Sequence, residues 1–170
     1  MRSILLGILL LGSGSCTELL GTSCTEIGCA DQASLTLRPA SGEWTAGAYE
    51  LSLTVDGTER RCAFNVPADL PEPRNGRSLC EQALAMYIQP ETTCTEHRYR
   101  DAVSQSCTPI PDRYSASLTL YGTPSALTVV LERDGTTILD ESSTLHYQSE
   151  RPNGPDCEPL CQQASVNLEF

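Results

Sequence analysis

From residue 33 onward, apolar and polar positions alternate with a period of two. In ASLTLRP, Leu35 and Leu37 share one face. In YELSLTV, Tyr49, Leu51, Leu53 and Val55 share one face while Glu50, Ser52 and Thr54 take the other. Successive strand side chains point to opposite sides, so this spacing predicts strands with one buried face. DGTE, between Val55 and Arg60, predicts a hairpin, because Asp-Gly accepts the positive φ of a tight turn. The returning run RRCAFNV sets Cys62, Phe64 and Val66 on one side, which predicts a core-facing Cys62. Beyond residue 114, SASLTLYG, SALTVVLERDGTTILDE, TLHYQSERP and QASVNLEF predict a second set of strands. Two words occur twice, Asp-Gly-Thr at 56–58 and 134–136 and ASLTL at 33–37 and 116–120. They hint at two related halves, but both are ordinary turn and strand chemistry, and convergence is the preferred reading.

The middle of the chain, residues 67–113, breaks the pattern. VPADLPEPRNGRS, with its three prolines, predicts an irregular connection. SLCEQALAMYIQ fits either a strand or a short helix with Ser78 and Glu81 as its capping box. TCTEHRYRDAVSQSCTPIPD reads as a loop between two cysteines. Short strands, frequent turn signals and little helix predict an all-β fold, an antiparallel β-sandwich of the immunoglobulin-like kind, in one domain over 24–170.

The N-terminus, MRSILLGILLLGSGSC, has one arginine, an apolar run from Ile4 to Leu11, and then small residues. That layout predicts a secretory signal peptide over 1–15. The apolar run falls short of the roughly 18 to 20 residues that span a membrane. Ser13-Gly14-Ser15-Cys16 resembles the lipobox of bacterial lipoproteins, with Ser13 where that family usually has leucine. The resemblance implies acylation and cleavage at Cys16, membrane attachment through an N-terminal lipid, and, with Thr17 next in the chain, sorting to the outer membrane. Residues 16–23 would then form a tether of at most about 28 Å.

Cysteine parity supports this view. There are nine cysteines, and an odd one in an exported chain needs a reason. Setting Cys16 aside leaves Cys24, Cys29, Cys62, Cys80, Cys94, Cys107, Cys157 and Cys161, an even set compatible with full pairing in an oxidising compartment. Many connectivities are open. One economical arrangement joins Cys24 and Cys29 to Cys157 and Cys161, clamping both ends of the domain, and nests Cys80–Cys94 inside Cys62–Cys107. The prolines of RPNGPDCEPLC (151–161) would pre-order the loop that carries the last two cysteines. The rival reading is a four-thiolate zinc site made from the same end pairs.

The formal charge is −11 and every cationic residue is arginine. Such a surface repels nucleic acid, so no nucleic-acid partner is expected. Aromatic residues are few, with two Phe, six Tyr and one Trp, so disulfides are expected to supply stability that a small core cannot. No G-x-S-x-G, H-E-x-x-H, G-x-G-x-x-G or P-loop occurs, and no catalytic residue, metal or cofactor is assigned. His97 reads as part of a solvated turn and His146 as an exposed strand position. Adjacent Asp140 and Glu141 would point to opposite faces of a strand, which suits acid–base work poorly. Trp44 and Tyr49, in EWTAGAYE, are the candidate ligand contacts, although a lone tryptophan in a β-sandwich is more often a core anchor. The A-G-x-Y step here resembles that of bacterial immunoglobulin-like and other β-sandwich modules.

Taken together, CTEIGCADQASLTLRPASGEWTAGAYELSLTVDGTERRC and RPNGPDCEPLCQQASVNLEF resemble small exported bacterial lipoproteins with a cysteine-rich β-sandwich-like domain. The resemblance implies location and a disulfide-bonded β fold, and supplies no activity. The expectation is a non-enzymatic, lipid-anchored cell-envelope protein that binds an envelope protein or glycan or serves a structural role. The alternatives are a secreted hydrolase or carbohydrate-active enzyme using dispersed carboxylates, and a thiolate metal-binding protein.

Overall fold

The computed structural model describes Cys24 and residues 27–68, 77–78, 80, 84–99 and 102–170. The signal peptide, the acylated Cys16 and the tether expected from the sequence lie outside the described residues, as does most of the proline-rich 67–76 connection. The described residues form ten strands and no helix. These are β1 (Gln32–Arg38), β2 (Gly47–Val55), β3 (Thr58–Val66), β4 (Arg77–Ser78), β5 (Met86–Tyr99), β6 (Ala102–Tyr121), β7 (Ala126–Arg133), β8 (Thr136–Thr144), β9 (Gln148–Glu150) and β10 (Cys161–Glu169). A six-stranded sheet runs β4-β5-β6-β1-β10-β9 and curls into a half-barrel; a four-stranded sheet runs β3-β2-β7-β8.

The alternation seen in sequence becomes burial. Leu35 and Leu37 of the first sheet and Leu51 and Leu53 of the second are fully buried, and they join Met86, Ile88, Leu118, Val129 and Leu131 in one hydrophobic core drawn from both sheets. Cys62, Phe64 and Val66 face that core as expected. The architecture is all-β in two sheets but departs from the expected antiparallel, immunoglobulin-like sandwich, because the first sheet curls into a half-barrel and is not all antiparallel. β1 pairs β10 in parallel, Gln32 beside Gln163 through Arg38 beside Glu169. Alternation fixes which face of a strand is buried and leaves its direction open.

Both Asp-Gly words are hairpin turns with two positive φ values, 45° and 82° at Asp56 and Gly57 and 51° and 76° at Asp134 and Gly135. Each aspartate also clasps the start of the other hairpin. The Asp56 amide donates to Ala126 O, and its Oδ1 accepts from Ser125 N, Ser125 Oγ and Ala126 N at 2.9, 2.7 and 3.1 Å. The Asp134 amide donates to Ala48 O, and its Oδ1 accepts from Ala48 N at 2.9 Å. The two ASLTL words pair directly with each other, Ala33 opposite Leu120 and Leu37 opposite Ala116. Thus the twice-used words sit at matching places about a pseudo-two-fold that exchanges β1-β2-β3 with β6-β7-β8.

The hydrogen bond from the Ser125 hydroxyl, followed by those from the Ala126 and Ser125 amides, holds the Asp56 carboxyl below its ordinary pKa. A carboxylate so depressed stabilises the fold above its unfolded pKa, and that contribution is lost as pH falls through the folded value. Asp56→Asn keeps an acceptor oxygen and removes the ionisation. It is expected to make the acid side of the Tm-against-pH curve shallower, while an unchanged curve would show that Asp56 contributes nothing to it.

Candidate functional site

The segment expected as a loop between Cys94 and Cys107 is instead the outer part of a long β-hairpin. β5 and β6 stay paired from Thr92 opposite Pro109 to Tyr99 opposite Ala102, well beyond the point where β1 stops pairing with β6 at Leu37 opposite Ala116. Both faces of this stretch are exposed from Thr92 to Tyr99. It forms a two-stranded arm of about 25 to 30 Å, given about 3.3 Å per residue. An isolated two-stranded hairpin is marginal in water, and here a disulfide stiffens it. Cys94 and Cys107 stand directly opposite each other, their Cα atoms 4.0 Å apart, and are bonded. The nested pairing expected for the middle cysteines is therefore corrected: Cys94 joins Cys107, and Cys62 joins Cys80, tying the edge strand β3 of one sheet to the segment that follows β4 at the edge of the other.

A locked joint sets the arm's direction. Opposite the single residue Glu91, β6 carries Ile110, Pro111, Asp112 and Arg113, an interruption that separates arm from sheet. Glu91 is only 11% exposed; it forms an ion pair with Arg38, Nε to Oε1 at 2.5 Å, and its Oε2 accepts a hydrogen bond from Arg113 Nε at 3.0 Å, so one carboxylate ties the arm's root to both β1 and β6. Arg113 lies across Gly42, which has φ +86° and where a Cβ would stand 3.0 Å from Arg113 Cγ. A larger residue there would push the guanidinium out of place.

The arm's two faces differ. One carries the staple with Thr92, Glu96, Arg98, Val103 and Gln105, and Arg98 Nε meets Glu96 Oε1 at 2.6 Å. The other carries Thr93 opposite Thr108, Thr95 opposite Ser106, and His97 opposite Ser104, with Tyr99 at its end. Tyr99 and Val103 are 72% and 63% exposed. The second face offers rows of hydroxyl donors and acceptors beside an imidazole and a phenol, chemistry suited to a polar partner surface.

At the other end of the molecule, the loop 151–161 holds the N-terminal segment. Cys24 is bonded to Cys157 and Cys29 to Cys161, the end clamp expected from sequence. Asn153 adds a two-way hydrogen bond to the Ile27 backbone, 2.9 Å at its Oδ1 and 3.0 Å at its Nδ2. Asp31 Oδ1 accepts from the Gln162 amide, and Gln163 Nε2 donates to Ala30 O. These four end cysteines are the ligands of the rival zinc reading, but a sulfur committed to a disulfide is no thiolate ligand. Four disulfides suggest an exported or extracellular protein.

Trp44 and Tyr49 are not a surface platform. They are 5% and 3% exposed and pack with Phe64 and Phe170, with Trp44 ring centroids 5.4 Å from Tyr49 and 5.2 Å from Phe170. The Tyr49 hydroxyl donates to Thr45 O, so even its polar end is engaged within the protein. His146, Asp140 and Glu141 are exposed, His97 lies on the arm, and Asp140 and Glu141 belong to β8. Glu50 and Glu132 stand opposite each other on β2 and β7. The Arg61 guanidinium meets Glu50 at 3.6 Å and Glu59 at 2.9 Å, which makes Glu50 a partner in a surface ion pair. No family model matches this chain, and no curated protein or solved structure is similar to it.

Proposed function

We propose that this chain is a non-enzymatic cell-envelope lipoprotein, acylated at Cys16 and tethered through residues 16–23 to the outer membrane, that holds the stapled arm out to bind another envelope component. The observation that carries the reading is the placement of the two ends. β6 runs against β1, with Tyr121 opposite Gln32, so the arm leaves beyond Arg38. β10 runs with β1, with Gln163 beside Gln32, so Cys161 and the clamp lie beyond the other end. The strand plus the arm sets the tip about 50 Å from the clamp. A lipid ahead of Cys24 would therefore direct the arm away from the membrane. Two β-sheets about one core, with the binding element at one end, is the build by which sandwich modules present themselves to partners.

A photo-crosslinking residue in place of Thr95 or Ser104, introduced in living bacteria, tests the arm. The expected result is a discrete envelope adduct from both positions and none from Ser52 or Ser142 on the outer side of the second sheet. Adducts from all four sites alike, or from none while the protein remains folded, would remove the arm from the account.

A further inference from the structure

The arm's two edges are not equivalent. The 4.0 Å Cα spacing of Cys94 and Cys107 is the close approach of a non-hydrogen-bonded pair, whose N–H and C=O groups point outward. The same follows at every second residue: Thr92, Glu96 and Arg98 on β5, and Val103 and Gln105 on β6. On the β6 edge this row ends at Pro109, which has no N–H to offer. The β5 edge has neither proline nor bulge from Thr92 to Arg98, and among the described residues its outer neighbour, β4, reaches only Tyr87 and Ile88. That edge is a row of open backbone donors and acceptors, the template another strand pairs with.

The charges along it select the strand. When two copies of β5 run antiparallel about a two-fold axis at His97, Glu96 of each stands opposite Arg98 of the other. Opposite charges across strands stabilise, and like charges oppose pairing. The contact between Arg98 and Glu96 within one strand then becomes part of a ring of four alternating charges. We propose that the outer edge of β5, Thr92 to Arg98, joins a second copy of this chain in antiparallel register centred on His97, making one four-stranded ribbon from two arms. The two bodies lie at opposite ends of that ribbon, so copies anchored as proposed above pair only across two facing membranes, and both faces of the ribbon stay open, so the pairing does not depend on the binding role proposed for the arm.

His97 is the position to test. In this register it faces its own copy across a non-hydrogen-bonded pair, close enough for a disulfide. His97→Cys in the full chain, oxidised with its native bridges intact by mass, is expected to give a covalent homodimer. Thr95→Cys, which faces Tyr99 of the second copy, is expected to give far less. Glu96→Arg in the His97→Cys background sets like charges opposite each other and should lower the dimer yield about tenfold, and adding Arg98→Glu should restore it. No dimer from natively bridged His97→Cys, or no recovery with the reversed pair, overturns the proposal. So does an adduct of His97→Cys with a different protein that forms in place of the homodimer and is lost with Glu96→Arg, which would make this edge the seat of a foreign strand.

Discussion

Replacing Cys24, Cys29, Cys157 and Cys161 together by alanine is expected to leave a chain that no longer folds at physiological temperature, while loss of either end bridge alone is tolerated. The bridges close loops of 133 and 132 residues. In the chain-entropy model the first such closure contributes about 5 kcal/mol. Once it exists, the second closes only a short ring through residues 24–29 and 157–161, for about 2 to 3 kcal/mol. Single removals therefore cost about 2 to 3 kcal/mol and the joint removal about 7 to 8, against a typical domain stability of about 5 to 15 kcal/mol. Urea denaturation of the two single-bridge variants and the four-cysteine variant measures this. Additive small losses would show that the Asn153, Asp31 and Gln163 hydrogen bonds hold the ends together without the bridges.

Trp44→Ala is expected to cost about 3 to 5 kcal/mol, the usual price of emptying a buried aromatic site. The indole is the hub of the aromatic cluster, in contact with Tyr49, Phe64 and the C-terminal Phe170. Its loss therefore loosens β2, β3 and the end of β10 together. Because the chain has a single tryptophan, the midpoint is read by circular dichroism. A loss below about 1 kcal/mol would be too small for a core anchor of this size.

The sequence was most legible where a strand has one wet and one dry face. Leu35, Leu51, Leu53 and Phe64 announce β1, β2 and β3 because burial imposes a period of two, and Asp56-Gly57 announces their turn because few other residues take its φ values. The arm left no such mark. Thr93, Thr95, Ser104 and Ser106 are wet on both sides, so no apolar alternation separates them from a loop. The one signal available was a pair of cysteines flanking a threonine- and serine-rich run, since such a pair can staple two strands directly opposite each other. Pairing Cys62 with Cys80 required knowing that the edges of two sheets meet there, which is a property of the assembled sheets. The end clamp was readable because first and last strands are often neighbours, a rule indifferent to whether β1 and β10 run parallel.

The central claim is an oxidised domain anchored at one end and presenting its arm from the other. Its most direct test is the intact mass of the full chain, expressed with its own N-terminus in a bacterial host, extracted in detergent and alkylated without reduction. The account predicts a mass that begins at Cys16, carries acyl chains and shows no alkylated thiol. A chain without acyl groups that takes up alkylating agent at several cysteines would contradict both the anchor and the clamp.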